Sequence, residues 1–293
     1  MQNQRSVFRK FWNRVPVVIK SIVTGFLVST FGVYVWVLFS IFIPVPWSLL
    51  AMTLFLWAYW KYFSGSWWPN ATKNIRKENF RKRKLSSFEW KRGFLAAILF
   101  VIILHSGLAL TFRFTEYPDD LFKEEYRFIE QIPVWMAWLV IIMSSLVAGI
   151  CEETGYRGYM QVPLEKKYRP SVAVVVVSII FVIVHLHQAW AAPILVQIFI
   201  ISLLIGYFAY AFNSLIPGII AHVTIDIFNF SYWWSDLLGK FTLKPISVTG
   251  VDLHFILTLV VFLTSLIFFV FINKKMIDRK KKLLESLAQK QHE

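Results

Sequence analysis

Apolar residues gather along this chain into long blocks divided by short polar stretches. The blocks fall at about 21–43, 46–63, 93–114, 133–163, 171–190, 193–212, 214–234 and 253–273. Several hold about 20 apolar residues with few or no charges, the length a helix rising 1.5 Å per residue needs to cross a hydrocarbon core of about 30 Å. The pattern predicts an all-α fold, a polytopic transmembrane helical bundle of about eight spans forming one integral membrane domain over 1–293. The second block is the weakest, because it is short and ends in "WAYWKYF".

Charge orders the blocks. Residues 1–20 carry five Lys/Arg and no acid, 64–92 nine against two, and the tail 274–293 seven against three. Segment 115–132 has six acids against two bases, and the turn "EKKYR" at 165–169 is basic again. Threading eight spans from a cytoplasmic N-terminus places each basic segment inside and the acidic one outside, with both termini cytoplasmic. The first apolar stretch is too long for a signal-peptide core and no small-residue cleavage pattern follows it, so the N-terminal segment is expected to be retained.

Composition agrees: 57% of the 293 residues are hydrophobic and 18% aromatic, against roughly 45–50% apolar in soluble domains. The net charge of +14 reads as cytoplasmic loops beside anionic lipid rather than as a nucleic-acid surface, and the basic loop 64–92 is expected to face lipid. One cysteine, Cys151, excludes an intramolecular disulfide and a multi-cysteine metal site. Trp67, Trp68, Trp135, Trp190, Trp233 and Trp234 fall near block ends and are expected to anchor at the interface.

Away from block ends the acidic residues are Glu152, Glu153 and Asp226. An ionised side chain at the centre of a bilayer helix costs roughly 2.5–3.5 kcal/mol, so such groups tend to face a protein interior and mark function. Their polar neighbours are Arg157, His185, His187 and His222. Counted from the turns, Glu153, His185, His222 and Asp226 lie roughly 18, 22, 12 and 18 Å into the membrane, one layer supplied by three helices. Glu153 and Arg157 are i,i+4, as are Phe181 and His185, and His222 and Asp226. Glu152 sits about 100° round from Glu153, so one carboxylate can face a cavity while the other pairs with Arg157.

A carboxylate beside an imidazole in a partly dry pocket can deprotonate water. The same groups could bind a divalent metal such as zinc, with Glu152, His185 and His222 as ligands, yet the HExxH and paired ExxH helices are absent. A proton relay is the third use.

"EETGYR" (Glu152 to Arg157), "FVIVH" (Phe181 to His185) and "HVTID" (His222 to Asp226) resemble, in order, the EExxxR, FxxxH and HxxxN/D motifs of the CPBP intramembrane proteases. That family includes the CAAX prenyl endopeptidases and bacterial bacteriocin-processing and immunity-type relatives. The resemblance covers about 143–234. It implies a helical membrane fold with a polar cavity, Glu152 as general base with His185 its partner on water, and His222 with Asp226 stabilising the oxyanion. Glu153 and Arg157 would shape the site. Eukaryotic CAAX enzymes carry Asn where this chain has Asp226, and bacterial relatives allow Asp. An ionised Asp would repel an oxyanion, so Asp226 would act protonated, hold a cation or orient His222, with Asn229 one turn on as a substitute donor.

The implied partners are a peptide or protein substrate and the bilayer, with no nucleic acid, and the implied location is a bacterial cytoplasmic membrane. The alternative is a non-proteolytic scaffold or immunity protein of the same fold that binds a toxin or a sensor kinase. His105 and His254 lack acidic neighbours and read as structural, His187 as interfacial, Cys151, Tyr156 and Tyr159 as packing residues, and Gly155 and Gly158 as points of close helix approach.

Overall fold

The computed structural model describes residues 12, 14–116, 127–186, 192–239 and 243–289. His187 and Trp190, and most of the acidic segment 115–132, lie outside the described residues. Among those described, every regular element is helical: α1 Val17–Phe42, α2 Trp47–Phe63, α3 Lys73–Asn79, α4 Ser87–Phe114, α5 Val134–Glu152, α6 Gln161–Lys167, α7 Pro170–Val184, α8 Ala192–Phe212, α9 Ile216–Phe228, α10 Ile246–Thr249 and α11 Leu253–Gln289. Two π-helical segments interrupt this order, Glu153–Met160 joining α5 to α6 and Asn229–Trp233 continuing α9.

Among the described residues, five helical runs are long and apolar enough to cross a membrane: Val17–Phe42, Ser87–Phe114, Val134–Lys167, Pro193–Phe212 and Leu253–Leu283. The other three apolar blocks form α2, α7 and α9, of 17, 15 and 13 residues. The fold is all-α and polytopic. Large apolar side chains such as Leu27, Phe31, Ile41, Leu54 and Ile267 are more than half exposed on its outside, the surface a bilayer would cover.

Several boundaries move for local reasons. α4 begins six residues before its apolar block, because Ser86 accepts from the Glu89 backbone while the Glu89 carboxylate takes the Ser86 N–H, a capping box legible in "SSFE". The expected turn at 165–169 narrows to Tyr168 and Arg169, because α6 runs to Lys167 with Glu165 held inward by Arg81 and Gln161. α11 continues sixteen residues past its apolar block to Gln289, so the basic tail from Lys274 is helix over most of its length. Lys and Arg are good helix formers and nothing in that stretch stops the helix.

The basic loop does not simply face lipid. Arg76 and Arg81 are buried. Arg76 donates to the carbonyls of Tyr62, Trp67 and Pro69, and Arg83 donates to the Phe212 carbonyl that ends α8. Carbonyls left over at helix ends need donors where water is scarce. Trp67, Trp68 and Trp135 are exposed, as anchors should be, but Trp233 is 3% exposed and stacks on His105.

The core is set by close crossings. Small residues line one face of α1, with Ser21, Gly25, Ser29 and Gly32 all buried, and α1 packs there against the π segment that follows α5. A methyl at Gly25 would lie 2.5 Å from Met160 Cβ, and one at Gly155 would lie 2.5 Å from the Gly25 carbonyl oxygen. Without a hydrophobic driving force between helices in lipid, such close contact is what holds them. Further along α1, Gly32 seats Cys151 Sγ, and the Tyr59 hydroxyl of α2 donates to the Val28 carbonyl at 2.9 Å. Gly25→Val should destabilise the fold by about 1–3 kcal/mol through overpacking, read as a lower melting temperature in detergent. Gly107→Ala, whose methyl would meet nothing nearer than 3.4 Å, should leave that temperature unchanged.

Candidate active site

The two adjacent carboxylates part at the junction of α5 and the π segment. Glu152 closes α5 with its side chain 16% exposed, whereas Glu153 has no exposed surface. A cavity of about 180 Å³ lies between α5, α7, α8 and α9, and its lining includes Glu152, His185, His222, Asp226 and Asn229, with Arg157 and Phe181. Three separated motifs thus meet at one space.

A sealed pair stands behind that space. Glu153 Oε1 accepts from His222 Nδ1 at 2.8 Å and lies 3.3 Å from Arg157 Nη1. Arg157, also fully buried, donates from Nη2 to Ser202 Oγ on α8 at 3.0 Å and lies 4.6 Å over the Phe181 ring. Phe181 in turn stacks on His185 with ring centres 4.4 Å apart, and His185 Nδ1 donates to the Phe181 carbonyl at 2.7 Å. The line His222, Glu153, Arg157, Phe181, His185 therefore fixes both imidazoles from one buried ion pair.

Those bonds orient the rings. With His222 Nδ1–H given to Glu153, Nε2 is the nitrogen that faces Asp226 Oδ2 at 3.5 Å and Glu152 Oε2 at 3.9 Å. His185, at the C-cap of α7, spends its Nδ1–H on the Phe181 carbonyl, which leaves Nε2 the basic nitrogen of the neutral ring. The π turns place these groups: each begins at the residue after a motif acid or within one turn of it, and wider turns of this kind recur at functional sites.

Among the described residues no set of three or more His, Cys, Asp or Glu side chains is arranged to hold a metal ion. Glu152, His185 and His222 share the cavity wall without forming a ligand set. The donors as arranged do not fit zinc.

Sequence reading missed three contributors. Ser202 is the one serine in the apolar run of α8, and Gln197, one and a half turns before it, lines the motif cavity with its Oε1 unpartnered. Both were findable by the criterion that singled out the acids, a polar group at membrane depth. Arg81 donates from Nε to the Arg157 carbonyl at 3.2 Å, a contact that charge counting cannot reveal.

Residues 133–228 match the family model described as Type II CAAX prenyl endopeptidase Rce1-like. The match places this segment with the CPBP intramembrane proteases. It holds all three motifs and ends before Asn229. The Rce1-like family is one of peptidases, and with several helices of spanning length the protein is an integral membrane protein. Comparison with curated proteins and with solved structures gives no match.

Glu153→Ala should cost roughly 3–5 kcal/mol of stability, because it leaves the Arg157 charge buried and unpaired. Glu152→Gln, at the cavity surface, should fold as well as wild type. Monodisperse yield and melting temperature of the two variants check this, and equal behaviour would refute the sealed pair.

Proposed function

We propose that the chain is an intramembrane endopeptidase that hydrolyses a peptide bond with a water activated by Glu152 and His185. The observation that carries this reading is the meeting of Glu152, His185, His222 and Asp226 at one cavity, with both imidazoles held from behind.

Water held between Glu152 and His185 loses a proton to the carboxylate, and its oxygen attacks the scissile carbonyl carbon. The tetrahedral oxyanion then needs a donor aimed at it, worth several kcal/mol in a dry site (about 2.7–4 for a single donor). A proton shared between His222 Nε2 and Asp226 Oδ2 supplies one whichever group carries it, which accommodates Asp at position 226. Asn229, on the same lining, stands ready as a further donor through its amide. Glu152 returns its proton to the leaving amine as the C–N bond breaks. Glu153 does not line the cavity and acts through His222, as a positioning residue.

The substrate is a peptide or protein segment reaching the site from the bilayer, either of CAAX type or a leader peptide or bacteriocin. Eight helices crossing a bacterial cytoplasmic membrane, with both termini inside, fit the charge pattern.

One feature favours the scaffold reading. A cavity of about 180 Å³ is below the roughly 300–1,000 Å³ of ligand pockets, so a substrate must widen it, whereas a protein that binds a toxin or a sensor kinase need not open it. The deciding test is cleavage of pooled prenylated and leader peptides by purified protein. Glu152→Ala and His185→Ala should each lose about 10²–10⁴-fold in rate at equal folded yield, and cleavage should persist in a zinc chelator. No cleavage by wild type, with a cellular phenotype that survives both substitutions, would establish the scaffold instead.

A further inference from the structure

Among the described residues, two that are not glycine hold left-handed backbone, Arg81 at φ 49° and Asn213 at φ 46°. A Cβ disfavours that region, so such residues persist where their surroundings hold them and mark a constraint. Arg81 belongs to the basic loop and Asn213 to the turn between α8 and α9, yet Arg81 Nη1 donates to Asn213 Oδ1 at 3.2 Å.

The Arg81 guanidinium, buried with its residue, spends its fork on three elements at once. Besides Asn213, Nη2 donates to Glu165 Oε1 of α6 at 2.6 Å, and Nε donates to the Arg157 carbonyl in the π segment at 3.2 Å. Gln161, at the start of α6, donates from Nε2 to Glu165 Oε1 at 2.7 Å and to the Gly206 carbonyl of α8 at 2.9 Å. The end of the π segment is thereby fixed on α8.

The contact with Arg157 bears on the winding of the helix. In an α-helix the Gln161 N–H would take the Arg157 carbonyl, four residues back. Here that N–H goes to the carbonyls of Tyr156 and Gly158 instead. Arg81 Nε therefore gives Arg157 a donor that α winding would have drawn from the helix itself, and so favours the wider turn. Its neighbours in the loop press on the same place: a methyl on Gly158 would lie 2.8 Å from the Asn79 carbonyl oxygen. Phe80 is buried in one cluster with Leu215 and with Ile219 of α9, about one turn before His222.

The π winding sets the direction of Glu153. With Gln161 fixed on α8, a return to α winding would turn Glu153 about the helix axis and out of its 2.8 Å bond with His222 Nδ1.

We propose that Arg81 is a positioning residue of the candidate active site, holding the π winding that aims Glu153 at His222 from a loop outside the matched segment 133–228. Its effect on turnover rests on the peptidase reading, whereas its effect on His222 does not.

The test compares two variants that both break the Arg81–Glu165 ion pair. Arg81→Met also vacates the Arg157 carbonyl, whereas Glu165→Gln leaves Nε in place. In the detergent-purified full chain carrying isotope-labelled histidine, the ring-nitrogen NMR signals of His222 are assigned by their loss in His222→Gln. They should shift in Arg81→Met and stay at wild-type positions in Glu165→Gln. On a peptide that wild type cleaves, Arg81→Met should lower kcat about 10–100-fold at unchanged KM, since geometry is lost and no peptide contact is. Glu165→Gln should keep the wild-type kcat. If Arg81→Met does not fold, Arg81→Lys, which keeps a charge beside Glu165 but loses the planar fork, should shift the same signals and decides in its place. His222 signals unmoved in the folded Arg81 variant, or moved equally in Glu165→Gln, would overturn the proposal. If wild type cleaves no peptide, the peptidase reading falls and the His222 comparison still decides the role of Arg81.

Discussion

Glu153 and Arg157 face each other where no solvent reaches, and the rest of the site takes its geometry from them. Removing two charges from water is costly, and their mutual attraction compensates only where further hydrogen bonds complete the shell. Here that shell is drawn from other helices: His222 of α9 on the carboxylate, Ser202 of α8 and the Phe181 ring of α7 on the guanidinium. Arg81 from the basic loop completes it on the Arg157 carbonyl. The pair therefore ties four separate segments to one point. Even so Glu153 Oε2 and Arg157 Nε remain without hydrogen-bond partners, a residual cost that a purely structural core would be expected to shed.

Closeness of helices is the second constraint, and it explains why α1 matters although it carries no motif. A π turn is wider than an α turn, and Glu153–Met160 must still approach its neighbour closely enough to exclude water from the ion pair. Gly25 and Gly155 permit this, each occupying space in which the other's methyl would strike backbone. The small residues of α1 thus act on the site indirectly, through the dryness of a pair that borders the cavity at Arg157 and His222.

Much of this was legible in the sequence, for physical reasons that can be stated residue by residue. Charged groups are costly in lipid, so Glu152, Glu153 and Asp226 stood out against apolar runs, and the 100° step between adjacent helical residues separated the two glutamates. What was hidden depends on three-dimensional partners. Charge counting reads Arg76, Arg81 and Arg83 as a basic patch and cannot see the backbone carbonyls of Trp67, Arg157 and Phe212 that they satisfy. Trp233 has the sequence position of an interface anchor, yet it is buried and its indole donates to His105 Nδ1. Hydropathy ends α11 at the last apolar residue, although a helix needs only propensity to continue. The π turns left no trace in periodicity, because eight and five residues are too few to shift it.

The α9 extension is where these threads converge. Successive residues of one short segment face two cavities, Asp226 and Asn229 toward the motif side and Phe228 and Trp233 toward the other. On the motif side His222 is fixed by a hydrogen bond to a sealed carboxylate, a rigid constraint. On the far side the segment packs on α4, with Trp233 against Phe112 at 5.7 Å and both Trp233 and Phe228 against His105. Asp226 and Asn229 therefore lie on a short segment anchored from both faces, by the Glu153 bond to His222 and by the packing of Phe228 and Trp233 on α4, so the placement of the proposed oxyanion donors depends on both sets of contacts.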